Sequence, residues 1–144
     1  MSATFGSVDD LLDAARSGIT RLAPHEAADR VRSGALIVDI RPAWQRETDG
    51  EIPGSVIVER NHLEWRLHPS SGASLPLATP RQEWIVVCTE GYTSSLAASS
   101  LVSLGLPASD IVGGIHAWRA AGLPVVAGGT GVEQQVAEIV TSSL

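Results

Sequence analysis

One cysteine, Cys88, is the strongest candidate for chemistry in this chain of 144 residues. It follows an apolar run over residues 84–87, which is typical of a buried strand. A short loop with Gly91 comes next, and a helical pattern begins at Ser94. In such a strand–loop–helix arrangement, backbone N–H groups and the positive end of the helix point at the sulfur. Both favour the thiolate, which is the nucleophilic form of cysteine. The alternative is that Cys88 is a small buried hydrophobic residue.

Composition excludes several other kinds of site. A single cysteine cannot form an internal disulfide or a multi-thiolate zinc site. All ten cationic side chains are arginine, so a Schiff-base lysine and a phosphate-loop lysine are both excluded. The four histidines are scattered, without the helical i, i+4 pair of many zinc sites. The net charge of -6 argues against a nucleic-acid or anionic-membrane surface.

The chain also lacks the patterns of a membrane or secreted protein. No apolar run approaches the length of a transmembrane helix, and the first residues do not form a secretory signal. We therefore expect a soluble cytoplasmic protein with a reduced thiol, and neither a membrane nor a nucleic acid as its partner.

Strand and helix patterns alternate along the chain, which predicts an α/β fold with a mainly parallel sheet. The predicted strands cover residues 19–22, 35–40, 56–58, 84–87 and 110–112. The predicted helices cover residues 8–16, 24–32, 42–47, 61–67 and 94–104, and a further one opens at Gly113-Gly114. Residues 68–81 read as a long loop, the kind that is often functional.

Both ends of the chain carry helical patterns outside this alternation. Ser7 precedes an amphipathic run as a capping residue, and Val132, Val136, Ile139 and Val140 share one helical face. We predict an N-terminal helical extension over 1–18, a central domain over 19–126 and a C-terminal helix over 127–144. The terminal helices are candidates for a homodimer face.

Four motifs in order resemble the rhodanese-like sulfurtransferases, over residues 19–124. They are Asp39-Ile40-Arg41, Glu51-Ile52-Pro53-Gly54-Ser55, Cys88-x-x-Gly91-x-x-Ser94, and Gly113-Gly114-Ile115-His116-Ala117-Trp118 followed by Gly122-Leu123-Pro124. The resemblance implies a three-layer rhodanese-like fold, a mainly parallel central sheet flanked by helices. It also implies that Cys88 takes a sulfane sulfur from a donor of the thiosulfate or mercaptopyruvate class and becomes a persulfide. The sulfur would then pass to a thiol or cyanide-like acceptor, with no metal or organic cofactor.

The loop that follows Cys88 is the candidate site for the persulfide or a bound anion. Its residues are Thr89, Glu90, Gly91, Tyr92, Thr93 and Ser94. Three of them depart from the family's common patterns, because many single-domain members carry arginine at Thr93 and thiosulfate-using loops often carry cations at Thr89 and Glu90. A carboxylate at Glu90 repels a dianionic donor and disfavours the thiolate.

Without lysine, an anionic donor must be held by arginine. Arg46 is the first choice, because it lies five residues after Arg41, close to where the family's two-domain enzymes place a substrate arginine. Arg66 and Arg60 are further candidates, since they follow the second buried strand. Arg41 itself is expected to pair with a carboxylate such as Asp39, as a structural pair near the site.

Two other functions stay open at this point. One is a sulfur-carrier or regulatory module that binds a partner without catalysis; Cys88 argues against it, because non-catalytic members commonly lack the cysteine. The other is a cysteine phosphatase or arsenate reductase of related fold. Phosphatase loops carry an arginine six residues after the cysteine, where this chain has Ser94.

Overall fold

A computed structural model describes residues 4–136. Helices and strands alternate along these residues, as the sequence predicted. The helices are α1 (Val8–Ser17), α2 (Pro24–Arg32), α3 (Ala43–Asp49), α4 (Leu63–Leu67), α5 (Thr93–Ser103) and α6 (Gly114–Ala120). The strands are β1 (Thr20–Leu22), β2 (Leu36–Asp39), β3 (Val56–Ile57), β4 (Trp84–Val87) and β5 (Ala108–Ile111). One 3₁₀ turn, Arg60–His62, leads into α4.

The five strands form one parallel sheet in the order β1-β5-β4-β2-β3. Successive residues of a strand point to opposite faces, and both faces are buried here. Val38 and Val86 pack with α4 and α5 on one face. Ile37 and Ile85 pack with α2 and α6 on the other. The result is the predicted three-layer arrangement.

Local sequence signals explain where the first elements begin. The Ser7 hydroxyl accepts a hydrogen bond from the Asp10 N–H at 3.0 Å, which caps α1 as predicted. Pro24 starts α2, and the Glu26 carboxylate accepts from the Ala23 N–H at 2.9 Å. Residues 68–81 form a loop without helix or strand, also as predicted.

The predicted C-terminal helix is wrong for residues 127–136, which are extended or in turns. This segment runs antiparallel to β3, where the Ile57 N–H donates to Gln134 O at 3.1 Å and the Val136 N–H donates to Ser55 O at 2.8 Å. Glycines at 128, 129 and 131 weaken a helix, whereas the open edge of β3 offers unpaired backbone groups. Ile139 and Val140 lie outside the described residues.

The N-terminal extension does contain a helix, α1, and it packs against α5 through Leu12 and Ala15. The domain boundaries at 18 and 126 stay predictions. None of the helices in residues 4–136 is long and apolar enough to cross a membrane.

Candidate active site

Cys88 directly follows β4, at the carboxyl edge of the sheet, and is 3% exposed. Its Sγ accepts hydrogen bonds from two backbone groups, the Gly91 N–H at 3.2 Å and the Ser94 N–H at 3.4 Å. Ser94 lies in the first turn of α5, where the helix dipole is positive. Both donors and the dipole favour negative charge on the sulfur, so the geometry suits a thiolate.

The loop around Cys88 needs glycine at position 91. Gly91 has φ +87°, a conformation that side chains disfavour. A Cβ there would lie 2.8 Å from the Gly113 backbone nitrogen. On the same side, α6 holds the loop, because the Ile115 N–H donates to Cys88 O at 2.9 Å and the His116 N–H donates to Thr89 O at 3.2 Å.

A buried carboxylate of β5, Asp110, holds the loop and the start of α5 through hydrogen bonds. Its Oδ2 accepts from the Ser94 and Ser95 hydroxyls, each at 2.8 Å. Arg21 donates to both carboxylate oxygens at 2.9 and 3.1 Å, and its Nη2 also donates to Gly91 O at 2.9 Å. The first turn of α5 and the Gly91 peptide are therefore fixed by one network.

A cavity of about 650 Å³ opens over Cys88. The aromatic side chains of Trp44 and Tyr92 line it and are 65% and 58% exposed. Glu90 also lines the cavity and is exposed. Thr89 donates a hydrogen bond to the Gln45 amide oxygen at 2.8 Å, which links the loop to α3. Cys88 thus lies at an open, partly apolar pocket.

A family model described as rhodanese-like domain matches residues 23–121. The chain belongs to the rhodanese-like domain family. The family that the four sequence motifs indicated is thereby confirmed. A comparison with curated proteins gives no match.

Several solved structures resemble this rhodanese-like chain. A Rhodopseudomonas palustris protein, described as of unknown function and a possible tyrosine phosphatase, is 35% identical with a TM-score of 0.77; the match covers 88% of this chain and 99% of that one. Thiosulfate sulfurtransferase from Pseudomonas aeruginosa is 25% identical with a TM-score of 0.69, over 88% of this chain and only 23% of that one. The Wolinella succinogenes polysulfide-sulfur transferase homodimer is 22% identical with a TM-score of 0.64, over 81% and 84%, and shows the shared fold.

The rhodanese-like domain does not present Arg46 to the cavity, although the sequence made it the first choice for holding a donor. The side chain is 2% exposed and its Nη1 donates to Glu51 Oε2 and to Thr130 O, both at 2.6 Å. Glu51 also accepts from the Thr130 hydroxyl at 2.8 Å. The pair therefore ties α3 to the C-terminal segment, a contact that local spacing does not reveal.

Asp39 and Arg41 form the expected pair. Arg41 donates to the two carboxylate oxygens at 3.0 and 2.6 Å, and its Nη2 also donates to Gly50 O at 2.7 Å. Both side chains are buried. Burial raises the pKa of Asp39, although the hydrogen bonds and the charge of Arg41 oppose the rise. Arg41 lines the cavity, yet its charge is matched by this carboxylate.

Of the two weaker arginine candidates, the structure brings only Arg60 to the cavity. Arg60 donates to both oxygens of Glu64 at 2.8 and 3.0 Å and is 39% exposed. Arg66 does not line the cavity and pairs with Glu133, whose Oε2 accepts from its Nη2 at 2.8 Å. Arg60 is therefore the arginine candidate best placed to meet an anion.

Sequence reasoning missed two groups near Cys88. His116 lines the cavity with its Nε2 3.4 Å from an Asp49 oxygen. Arg16 of α1 donates from Nη2 to Gly91 O at 2.7 Å. The signal for Arg16 was its place four residues after Leu12 on the buried face of an amphipathic helix. Within residues 4–136 no cluster of three metal-ligating side chains is present.

Proposed function

We propose that this rhodanese-like protein is a sulfurtransferase in which Cys88 carries the transferred sulfur as a persulfide. The observation that carries the proposal is the pair of backbone N–H groups, from Gly91 and Ser94, that donate to the buried Cys88 sulfur at the first turn of α5. The similarity to thiosulfate sulfurtransferase from Pseudomonas aeruginosa supports the same chemistry.

The proposed reaction is a double displacement at sulfur. With thiosulfate, the Cys88 thiolate attacks the outer sulfur, the S–S bond of the donor breaks, and sulfite leaves. With mercaptopyruvate, the Cys88 thiolate attacks the sulfur of the donor and the donor's C–S bond breaks. The departing pyruvate enolate takes up the proton of the mercaptopyruvate thiol. An acceptor such as cyanide then attacks the outer sulfur of the persulfide, which yields thiocyanate and restores the Cys88 thiolate.

The loop offers donors for the outer sulfur as well as for Sγ. No hydrogen bond within the described part of the chain uses the backbone N–H groups of Thr89, Glu90 or Tyr92. These groups belong to the loop that lines the cavity. Fixed N–H groups in a partly buried pocket stabilise developing negative charge without reorganisation, which supports both the persulfide anion and the transition state.

The charges around the cavity favour a donor with little negative charge. Among the described residues, both arginines that line it have carboxylate partners, Asp39 for Arg41 and Glu64 for Arg60. Glu90 adds a negative charge at the pocket. We therefore expect mercaptopyruvate, with one carboxylate, to be used better than dianionic thiosulfate.

A phosphatase is the second candidate, because the similar Rhodopseudomonas palustris protein is described as a possible tyrosine phosphatase. In phosphatase loops an arginine six residues after the cysteine binds the phosphate dianion. The sixth residue after Cys88 is Ser94, and its hydroxyl is committed to Asp110 at 2.8 Å. We expect hydrolysis of para-nitrophenyl phosphate to be absent, and Cys88-dependent hydrolysis would favour the phosphatase instead.

Thiocyanate formation from each donor and cyanide tests the enzyme. We expect the wild-type protein to turn over and Cys88→Ser to be inactive, with both proteins showing the same circular dichroism spectrum. Intact-mass analysis after donor treatment should show a gain of one sulfur atom in the wild type and none in Cys88→Ser. Activity that survives Cys88→Ser would refute the assignment. A persulfide that forms but passes to no thiol or cyanide would favour a carrier or partner-binding module.

A further inference from the structure

Arg16 joins the N-terminal helix to the loop around Cys88. It lies on the face of α1 that also carries the buried residues Leu12 and Ala15. From there its Nη2 donates to Gly91 O at 2.7 Å, and its Nε donates to the Ser95 hydroxyl at 3.0 Å. One guanidinium therefore holds both the loop and the first turn of α5.

Two guanidinium groups, those of Arg16 and Arg21, donate to the Gly91 carbonyl, and they differ in whether a carboxylate pairs with them. Arg21 is neutralised by Asp110, with its Nε 2.9 Å from a carboxylate oxygen. No ion pair joins Arg16 to a carboxylate within residues 4–136. Its guanidinium instead lies 5.7 Å from the centre of the Tyr92 ring at the cavity. Arg16 thus brings a positive charge to the loop without a carboxylate in direct contact, and Asp110 reaches its Nε only through the Ser95 hydroxyl.

We propose that Arg16 is a positioning residue that keeps the Gly91 and Ser94 N–H groups directed at the Cys88 sulfur and adds a favourable charge to the thiolate and persulfide. The proposal rests on the proposed sulfur transfer. It assigns a part of the site to α1, which lies outside the residues 23–121 matched by the family model.

Two physical effects act together. Glycine has the widest backbone freedom, so the Gly91 N–H direction needs external restraint, and charge-assisted hydrogen bonds to its carbonyl supply it. An unneutralised cation near a partly buried anion also stabilises that anion, because the surroundings screen it less than water does. Both effects act on the charged form of sulfur more than on the neutral thiol.

The test compares the full-length wild type with three variants. Arg16→Gln removes the charge and the paired donors, and Arg16→Lys keeps the charge with a single donor group. Arg32→Gln is the matched control, because Arg32 is an exposed arginine at the opposite end of the sheet, paired with Asp29 on its own helix. Two quantities are measured for each protein: the rate of Cys88 alkylation by iodoacetamide across pH, and the thermal midpoint.

We expect Arg16→Gln to slow alkylation about tenfold near neutral pH and to move the pH profile to higher pH. Arg16→Lys should recover part of the rate. Arg32→Gln should overlay the wild type. At high pH, where all proteins are thiolate, the four rates should converge, which a general loss of structure would not produce.

An alkylation profile of Arg16→Gln that overlays the wild type would overturn the inference, and so would a loss of rate that persists at high pH. The proposed function is judged separately by persulfide formation. If the wild type is alkylated with the expected Arg16 dependence but no donor loads sulfur, the proposed function fails while the positioning role stands.

Discussion

Two pairs of arginines, one on the α3 side and one on the loop side, have hydrogen bonds that go to different kinds of partner. The α3-side arginines, Arg41 and Arg46, are fully buried, and each has a carboxylate of its own at 2.6 Å, Asp39 and Glu51 respectively. Further donors of the pair go to backbone carbonyls of residues 41, 50 and 130, and Arg41 Nη1 has no hydrogen-bond partner among the described residues. This pair is electrically balanced and joins segments of the fold.

The loop-side arginines, Arg16 and Arg21, differ in this respect, because Asp110 pairs with Arg21 and no ion pair joins Arg16 to a carboxylate within residues 4–136. Both donate to the same carbonyl, that of Gly91. Both side chains are half-buried, unlike the fully buried side chains of Arg41 and Arg46. This pair therefore leaves a net positive charge against the loop that donates to the Cys88 sulfur.

Closeness in sequence to a motif does not decide which arginine can act on the Cys88 sulfur. Buried Arg46 lies close in sequence to a family motif, but its charge is already matched by Glu51. Arg16 lies far from any motif, but its charge is available to the loop. The partner that an arginine has already taken decides whether it can act on a further anion.

The largest expected effect comes from removing the positive charge of Arg46 and leaving its carboxylate partner in place. Arg46→Met leaves Glu51 buried without a cation, so the free energy of unfolding should fall by about 3–5 kcal/mol. The rate of Cys88 alkylation in the folded protein should not change, because Arg46 does not line the cavity. Urea unfolding and iodoacetamide kinetics check the two statements.

The double variant Arg46→Met/Glu51→Leu is the control for that experiment. It removes both charges, so it should recover a large part of the lost stability. A stable Arg46→Met protein with a raised KM for thiosulfate would contradict the comparison and restore Arg46 as a donor ligand.

A smaller effect on stability, together with an effect on Cys88 reactivity, is expected from a substitution at Gly91. Gly91→Ala should lower the free energy of unfolding by about 2–4 kcal/mol, because its φ is +87° and the added Cβ meets the Gly113 nitrogen at 2.8 Å. It should also slow Cys88 alkylation, since the loop must shift. Chemical unfolding and alkylation of the same sample measure both.

Gly54→Ala separates the conformational part of that effect. Gly54 has φ +80° but open space around its missing Cβ. We expect a loss of about 1–2 kcal/mol with unchanged alkylation. Equal losses in the two variants, or unaltered alkylation in Gly91→Ala, would show that the loop tolerates the shift.

The sequence was sufficient for the sheet and for the Cys88 loop, because both depend on local patterns. Continuous apolar runs predicted β2 and β4, and a capping serine predicted the start of α1. The order cysteine, glycine, helix predicted that backbone N–H groups of the loop and the start of the helix would face the sulfur, and those of Gly91 and Ser94 do. Each of these signals is complete within about ten residues.

The sequence was insufficient wherever partners are distant along the chain. Arg46 meets Thr130, and Arg16 meets Gly91. The segment over 127–136 satisfies the edge of β3 rather than its own helical hydrogen bonds. Its apolar residues recur at helical spacing, but tertiary pairing with the sheet edge outweighs that local preference.

The smallest effect is expected at Glu64, the partner of Arg60. Burial alone would raise the pKa of Glu64, but hydrogen bonds from Ser100 and Arg60 outweigh it, so the pKa is lowered. Folding therefore favours the ionised form of Glu64. Its contribution to the free energy of unfolding is complete above about pH 5 and is lost as the pH falls through the folded-state pKa. Glu64→Gln should lower the free energy of unfolding by less than about 1 kcal/mol near neutral pH, and by less still in acid.

The same variant tests whether a carboxylate partner limits an arginine at the cavity. Glu64→Gln leaves Arg60 without its ion-pair partner at the pocket, so the KM for thiosulfate should fall while that for an uncharged acceptor should not. Glu59→Gln is the matched control, because Glu59 is exposed and does not line the cavity. If Glu64→Gln leaves the thiosulfate KM unchanged, Arg60 does not hold the donor, and the loop N–H groups bind the anion without it.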